Sequence, residues 1–282
     1  MIKDITIGQF FPGQSFIHKL DPRAKIVLLI VYIVSLFLCK SFFSLMLMLA
    51  FALTAVLLSR VSPKMIWKSM KAIVVLLVFT AILQIVYNDK GDVLWKPFEN
   101  SSFAVTTGGV YAAVFLIVRI CALILLTSLL TYTTSATLLT DAIEKLLSPL
   151  KLLRIPVHSL AMMMTIALRF IPTLLREIDI IMSAQKARGA MLDSGNLGQR
   201  LKALTSVFVP LLVSSFRRAA ELATAMECRC YTDGANRTRM RKMRFTWRDL
   251  VAALTLAAFA AAAIFTSFYP IAQTLIFQPV IT

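Results

Sequence analysis

Hydrophobic positions follow two different rhythms along this chain. Five stretches are apolar on all sides: Lys25–Cys39, Phe42–Leu58, Ala72–Tyr87, Val110–Tyr132 and Leu250–Tyr269. A helix that crosses a bilayer needs about 20 mainly apolar residues, within a range of about 17–25. The fourth and fifth stretches meet that length, and the first three are short. Two further stretches are amphipathic. Over 157–187, Leu160, Met163, Met164, Ala167, Leu168, Ile171, Leu174, Leu175, Ile178 and Met182 make a broad i, i+3, i+4 stripe, interrupted by Arg169, Arg176, Glu177, Asp179 and Lys186. Over 199–230 the plan repeats, with Leu201, Leu204, Phe208, Leu211, Leu212, Phe216, Ala219, Ala220 and Ala223 apolar and the charges gathered towards the end. Both amphipathic helices read as too charged to span and too apolar to stand alone in water. The fold class is therefore an all-α integral membrane protein, with about five transmembrane helices and a set of long amphipathic helices outside the bilayer.

Punctuation divides the chain further. Gly8, Pro12, Gly13 and Pro22 predict turns before the first span, with Asp21 capping that helix and Pro22 in its first turn. Lys40-Ser41 turns the first hairpin, so Lys40 must snorkel to an interface or the bilayer must thin there. Pro63 opens a helix after a basic loop, and the loop Asn88–Gly109 is long enough for local structure, with Trp95 at the interface. A short amphipathic helix is expected over 138–154, with Pro149 and Pro156 as punctuation. Pro172 and Pro210 predict kinks in the two long amphipathic helices. Four regions result: an N-terminal segment 1–24, transmembrane helices over 25–132, an amphipathic-helix domain over 133–249, and a last transmembrane helix with its tail over 250–282.

Composition agrees: the chain is 59% hydrophobic with a mean hydropathy of +0.80. Its net charge of +16 would suit nucleic acid, but the charge is distributed by loop. Residues 1–25 hold four Lys/Arg, 59–71 hold four and 133–249 hold eighteen, while the alternate loops hold only Lys40, Lys90 and Lys96. That alternation follows the positive-inside rule and predicts a cytoplasmic N-terminus, a cytoplasmic 133–249 and an external C-terminus. Anionic membrane lipid accounts for the basic run Arg237, Arg239, Arg241, Lys242, Arg244 and Arg248 without nucleic acid. The first apolar run begins after some 24 mostly polar residues with no small-residue cleavage pattern behind it, so the first helix is expected to remain as an anchor.

Catalytic chemistry is not visible. No glycine precedes a lysine, which excludes a phosphate-cradling loop of the G-x-x-x-x-G-K-[ST] type, and the two histidines, His18 and His158, have no neighbouring ligand set. Cys39 and Cys121 lie in apolar runs, and Cys228 and Cys230 have C-x-C spacing without a nearby histidine, so no metal site is expected. Three sites draw attention instead. Arg119 sits near the middle of the fourth span, where a charge faces the bundle interior or water and finds a partner. It is either a pathway or switch residue, or an arginine satisfied by neighbouring carbonyls. Ala187-Arg188-Gly189 and Cys228-Arg229-Cys230 each set an arginine between small residues at the end of an amphipathic helix. One such motif would suit an arginine completing a helix dipole. Two suggest a part that docks onto two partner surfaces, since a guanidinium with small neighbours enters a groove and grips a carboxylate with both edges.

The order of several short motifs identifies a family. Gly8-Gln9-Phe10-Phe11-Pro12-Gly13, Leu20-Asp21-Pro22-Arg23, Leu168-Arg169-Phe170-Ile171-Pro172, Ala184-Gln185-Lys186-Ala187-Arg188-Gly189-Ala190 and Ala225-Met226-Glu227 before Cys228-Arg229-Cys230-Tyr231 resemble the transmembrane T component of energy-coupling factor (ECF) transporters. These are vitamin and metal importers of the ATP-binding-cassette class in prokaryotic cell membranes. The resemblance implies a non-catalytic chain without a cofactor of its own, ATP and magnesium being held by partners. It implies docking of Arg188 and Arg229 onto two ATPase subunits, and coupling to a small membrane S component that binds the substrate. Cysteine at 230 departs from the glycine usual in the family's second motif and predicts a different helix end there, because glycine accepts positive φ more readily. The alternative class, a self-sufficient secondary transporter, would need broken mid-membrane helices and internal repeats. Arg119 is the strong candidate for it.

Overall fold

A computed structural model describes residues 10–88, 93–95, 105–149, 156–190, 196–231 and 245–268. Its contacts fall into two units, one made from residues of 136–242 and the other from residues of 9–135 and 243–282. The expected basic run Arg237–Arg244, the tail beyond Phe268 and the end of the expected 138–154 helix lie outside the described residues.

The larger unit holds α1 (Pro22–Leu38), α2 (Phe42–Ser59), α3 (Pro63–Tyr87), β1 (Val93–Trp95), β2 (Val105–Thr106), α4 (Thr107–Thr133) and the last helix, α8 (Trp247–Phe268). Local chemistry sets the ends. The Asp21 carboxylate accepts the Arg23 amide at 3.0 Å and Pro22 opens α1. Arg60 closes α2 in the left-handed region at φ 55, its amide bonded to the Leu57 carbonyl. Pro63 opens α3. Thr106 accepts the Gly109 amide at 3.1 Å while its own hydroxyl donates to the Asn88 carbonyl at 2.6 Å, so one threonine caps α4 and ties it to the end of α3. A Cβ at Gly109 would meet the Ile85 carbonyl oxygen at 3.2 Å, which is how closely the two helices approach there. The loop between them carries a short antiparallel ladder, Val93 opposite Thr106 and Trp95 opposite Val105, the one strand pairing among the described residues.

Tyr32, Leu36, Leu45, Met48, Leu125, Leu126, Leu129 and Leu256 fill the core between α1, α2, α4 and α8. Ala52, Ala122 and Ala263 are fully buried in it, small residues that let helix backbones approach. Outward-facing Leu57, Val75, Phe79, Ile82 and Phe265 remain exposed, as suits a surface wetted by hydrocarbon. Each of these five helices carries one of the five apolar stretches, α1 ending one residue short at Leu38. By length and composition α2, α4 and α8 are candidate spans, and α3 joins them as a bent pair, Pro63–Lys71 and Ile73–Tyr87, meeting at 49°. α1, with 17 residues, is at the lower limit of spanning length.

The other unit holds α5 (Ala136–Leu146), α6 (Val157–Ala187) and α7 (Leu197–Glu227). One expectation needs correction. α6, read as too charged to span, does contain a window long and apolar enough to do so. The reason is that Arg176, Glu177, Asp179 and Lys186 all fall in its second half, leaving Arg169 alone among the apolar residues of the first. Pro172 and Pro210 lie inside continuous helices. Each removes the amide that would donate to the carbonyl four residues earlier, at Leu168 and Ser206.

Candidate functional site

The two arginine motifs end their helices in the same way. At the end of α6 the Arg188 amide bonds back to Ala184 and Gln185, Gly189 takes φ 85, its amide reaches the Lys186 carbonyl at 3.0 Å, and the Ala190 amide reaches Gln185 at 3.0 Å. At the end of α7 the Arg229 amide bonds to Met226, Cys230 takes φ 53, its amide reaches Glu227 at 2.8 Å, and the Tyr231 amide reaches Met226 at 3.1 Å. These are paired 6→1 and 5→2 bonds around one left-handed residue, the Schellman cap. The different helix end expected from Cys230 is thus overturned: cysteine adopts the conformation that glycine adopts at 189, because both carbonyl-capping bonds compensate its strain. Ala187, Arg188, Gly189, Cys228, Arg229 and Cys230 are all exposed, and both cysteines are free thiols. Neither guanidinium makes an ion pair or side-chain hydrogen bond among the described residues.

α6 and α7 present these caps at opposite ends. The Ser214 hydroxyl donates to the Glu177 carboxylate, whose other oxygen pairs with Arg218 at 2.8 Å. Tyr231 donates its hydroxyl to Met162 Sδ at 2.8 Å. Ascending positions on α6 therefore meet descending positions on α7, and the helices run antiparallel. Arg229 lies beside the start of α6 and Arg188 at its finish, so the two are separated by roughly 40 Å at about 1.5 Å per residue. α5 joins the start of α6 through Glu144, which faces His158 Nδ1 at 3.1 Å.

Arg119 finds its partner in the larger unit. Its Nη2 donates to the Cys39 carbonyl at 2.7 Å, and its guanidinium stands over the rings of Phe115 at 4.6 Å and Phe37 at 5.8 Å. Helical side chains lean towards the N-terminus, so the charge is carried up α4 to the α1–α2 turn. There it caps the C-terminal end of α1, whose exposed carbonyls favour a cation. Its Nε has no hydrogen-bond partner among the described residues. The same turn uses Lys40, whose amide donates to the Ser267 hydroxyl at 2.9 Å and whose ammonium lies over Phe268 at 6.0 Å.

A second polar cluster went unread in the sequence. The Lys25 ammonium donates to the Thr133 carbonyl at 3.0 Å and to the Thr134 and Thr133 hydroxyls at 3.2 and 3.4 Å. One oxygen of Asp249 accepts the Asp21 amide at 2.8 Å, and the other accepts the Thr246 amide at 2.7 Å. Asp21, Lys25 and Asp249 are all buried. The cluster latches the start of α1 to the end of α4 and the start of α8. Asp21 is thus more than the helix cap read from Asp21-Pro22. The available signal was a charge at the edge of each of two apolar runs, Lys25 and Asp249, with a threonine pair closing a third.

Residues 13–240 match the family described as cobalt transport protein. Among curated relatives, the energy-coupling factor transporter transmembrane protein of Clostridium kluyveri is 52% identical over 90% of this chain and 93% of its own length. That of Ruminiclostridium cellulolyticum is 48% identical over 89% and 92%, and that of Bacillus subtilis 41% identical over 93% and 97%.

Proposed function

The chain belongs to the family of energy-coupling factor transporter transmembrane proteins, and from that premise we propose that it is the non-catalytic scaffold that passes motion from two ATP-binding-cassette ATPase subunits to a small membrane S component. The S component binds the cargo, a vitamin or other micronutrient, and the ATPases hold the ATP and magnesium. Arg188 enters a groove on one ATPase and Arg229 a groove on the other. The observation that carries this reading is the paired cap: two exposed arginines, each at the last turn of an amphipathic helix, each held by the same six-residue hydrogen-bond pattern, at opposite ends of one antiparallel pair. A separation of roughly 40 Å suits two docking surfaces better than one. Arg119, on which a self-sufficient transporter would rest, is engaged as a helix cap. In this reading the N-terminus and the α5–α7 unit face the cytoplasm of a prokaryotic cell, which the distribution of basic residues supports.

Affinity purification of the chain tests this reading. Two ATPases and a small membrane protein should accompany it. Arg188→Glu and Arg229→Glu should each weaken retention of an ATPase, since a hydrogen bond to a charged group contributes about 1.5–3 kcal/mol and reversal adds repulsion. Normal assembly and transport in the double variant would refute the docking roles.

A further inference from the structure

α3 begins outside the apolar run it leads into, and its first two turns form a surface of their own. Lys64, Trp67, Lys68 and Lys71 recur at the spacing of one helical face, and all four are exposed. Trp67 is 72% exposed, which is unusual for so large a ring. The opposite face is anchored: Met65, Ile66 and Met70 pack against the core. Ser69 bonds the Tyr132 hydroxyl, which in turn donates to the Met65 carbonyl at 3.2 Å. The orientation of the lysine face is therefore fixed by packing behind it. Exposed Arg60 stands just before it, at the left-handed end of α2. No acidic residue occurs anywhere between Arg60 and Asn88, so these four cations have no countercharge on their own segment. Past Lys71 the helix bends by 49° into Ile73–Tyr87, whose residues Val75, Leu76, Phe79 and Ile82 are exposed and apolar.

We propose that the Lys64–Trp67–Lys68–Lys71 face of α3 is a binding site for the headgroups of anionic phospholipids. The bend separates a helix segment lying along the bilayer surface from one that enters the hydrocarbon. Along the surface segment, the lysine stems lie on the interface while their ammonium groups reach phosphate, and the indole sits at headgroup level, where tryptophan is favoured. A juxtamembrane cluster of this size draws acidic lipid by charge alone, and a rigid helix face adds a fixed spacing of about 10 Å between Lys64 and Lys71. The acidic surface of a protein partner would also complement the charge, but continuity with a span and the exposed tryptophan favour lipid. The site does not depend on how Arg188 and Arg229 dock.

The test uses the full chain, with Trp95 and Trp247 replaced by phenylalanine, reconstituted into phosphatidylcholine vesicles. An equal minor fraction of either brominated phosphatidylglycerol or brominated phosphatidylcholine is added, and quenching of Trp67 emission is read. Phosphatidylglycerol should quench more strongly, with its preference falling roughly fivefold for each lysine removed. Lys64→Gln, Lys68→Gln and Lys71→Gln together should abolish the preference, while the corresponding triple arginine variant, which keeps the charge, should retain it. Equal quenching by the two lipids, or a preference that survives the glutamine variant, overturns the proposal. So does Trp67 emission that neither brominated lipid quenches and only aqueous iodide reaches. ATPase retention by the glutamine variant should stay normal, which separates failure here from failure of the docking reading.

Discussion

Gly189 adopts φ 85 at no steric cost, because it has no Cβ, whereas Cys230 adopts φ 53 with one. That conformation costs an L residue roughly 1–2 kcal/mol, and at 230 the two capping bonds from the Cys230 and Tyr231 amides offset it. The cap fixes the backbone at Arg229, so if that arginine docks as proposed the tolerance of the cap is predictable. Cys230→Gly should keep ATPase binding, since it relieves strain and preserves the bonds. Cys230→Val should weaken it, because a β-branched residue resists positive φ most strongly. Cys228→Val, within the last helical turn, should change little. Titration of the purified chain with ATPase checks the series. Equal loss in Cys228→Val and Cys230→Val would mean that the flanking residues act by size in the groove and not through the backbone. The sequence exposed the small-Arg-small repeat but not its shared geometry, because composition does not reveal that a cysteine will occupy a glycine's conformation.

At the scale of elements, local signals were legible and distant pairings were not. The stripe from Leu160 to Met182, closed by Pro156 before it and Gly189 after it, marks α6 as the structure has it, Val157–Ala187. Pro63 and Asp21-Pro22 likewise mark the starts of α3 and α1. By contrast, Lys25 lies 108 residues from Thr133, and Asp21 lies 228 from Asp249. No periodicity records such contacts. For Arg119 the rule that a buried charge finds a partner was available, but not that the partner would be a carbonyl at the end of α1. The latch makes a prediction at this scale. Asp249→Asn leaves the side-chain shape but removes the charge that accepts two amides and faces Lys25, so it should cost about 1.5–3 kcal/mol. The melting temperature of the detergent-purified chain should fall by on the order of 5 °C. Leu250→Ala, the neighbouring exposed position, serves as the control and should leave it within about 0.5 kcal/mol. An unchanged Asp249→Asn protein would show that α1 and α8 are held by apolar packing alone.

For the whole molecule, the number of crossings turns on α6. Its first half is apolar enough to span, which would give six crossings and put both ends of the chain on one side. Its partner argues otherwise. α7 runs antiparallel to α6 and touches it from Met162–Tyr231 to Glu177–Ser214, so if α6 crossed the bilayer, α7 would be drawn in beside it. α7 carries Arg217, Arg218, Glu221 and Glu227, and each charge at mid-membrane costs a spanning helix several kilocalories per mole. The Glu177–Arg218 pair and the exposed caps of both helices also call for water. On the proposed topology α6 stays outside the hydrocarbon, and α1, α2, α3, α4 and α8 are the five expected crossings with the two termini expected on opposite sides. Labelling of single cysteines in a background lacking Cys39, Cys121, Cys228 and Cys230 tests this. Ser101→Cys, between α3 and α4, should react with an impermeant thiol reagent on intact cells. Asn196→Cys, between α6 and α7, should react only after permeabilisation. Reaction of Asn196→Cys on intact cells would mean that α6 spans, and silence of Ser101→Cys with reaction at Asn196→Cys would invert the orientation altogether. Protection at Asn196 together with reaction at Ser101 would put Arg188 and Arg229 on the cytoplasmic side, where the proposed ATPase partners would have to meet them.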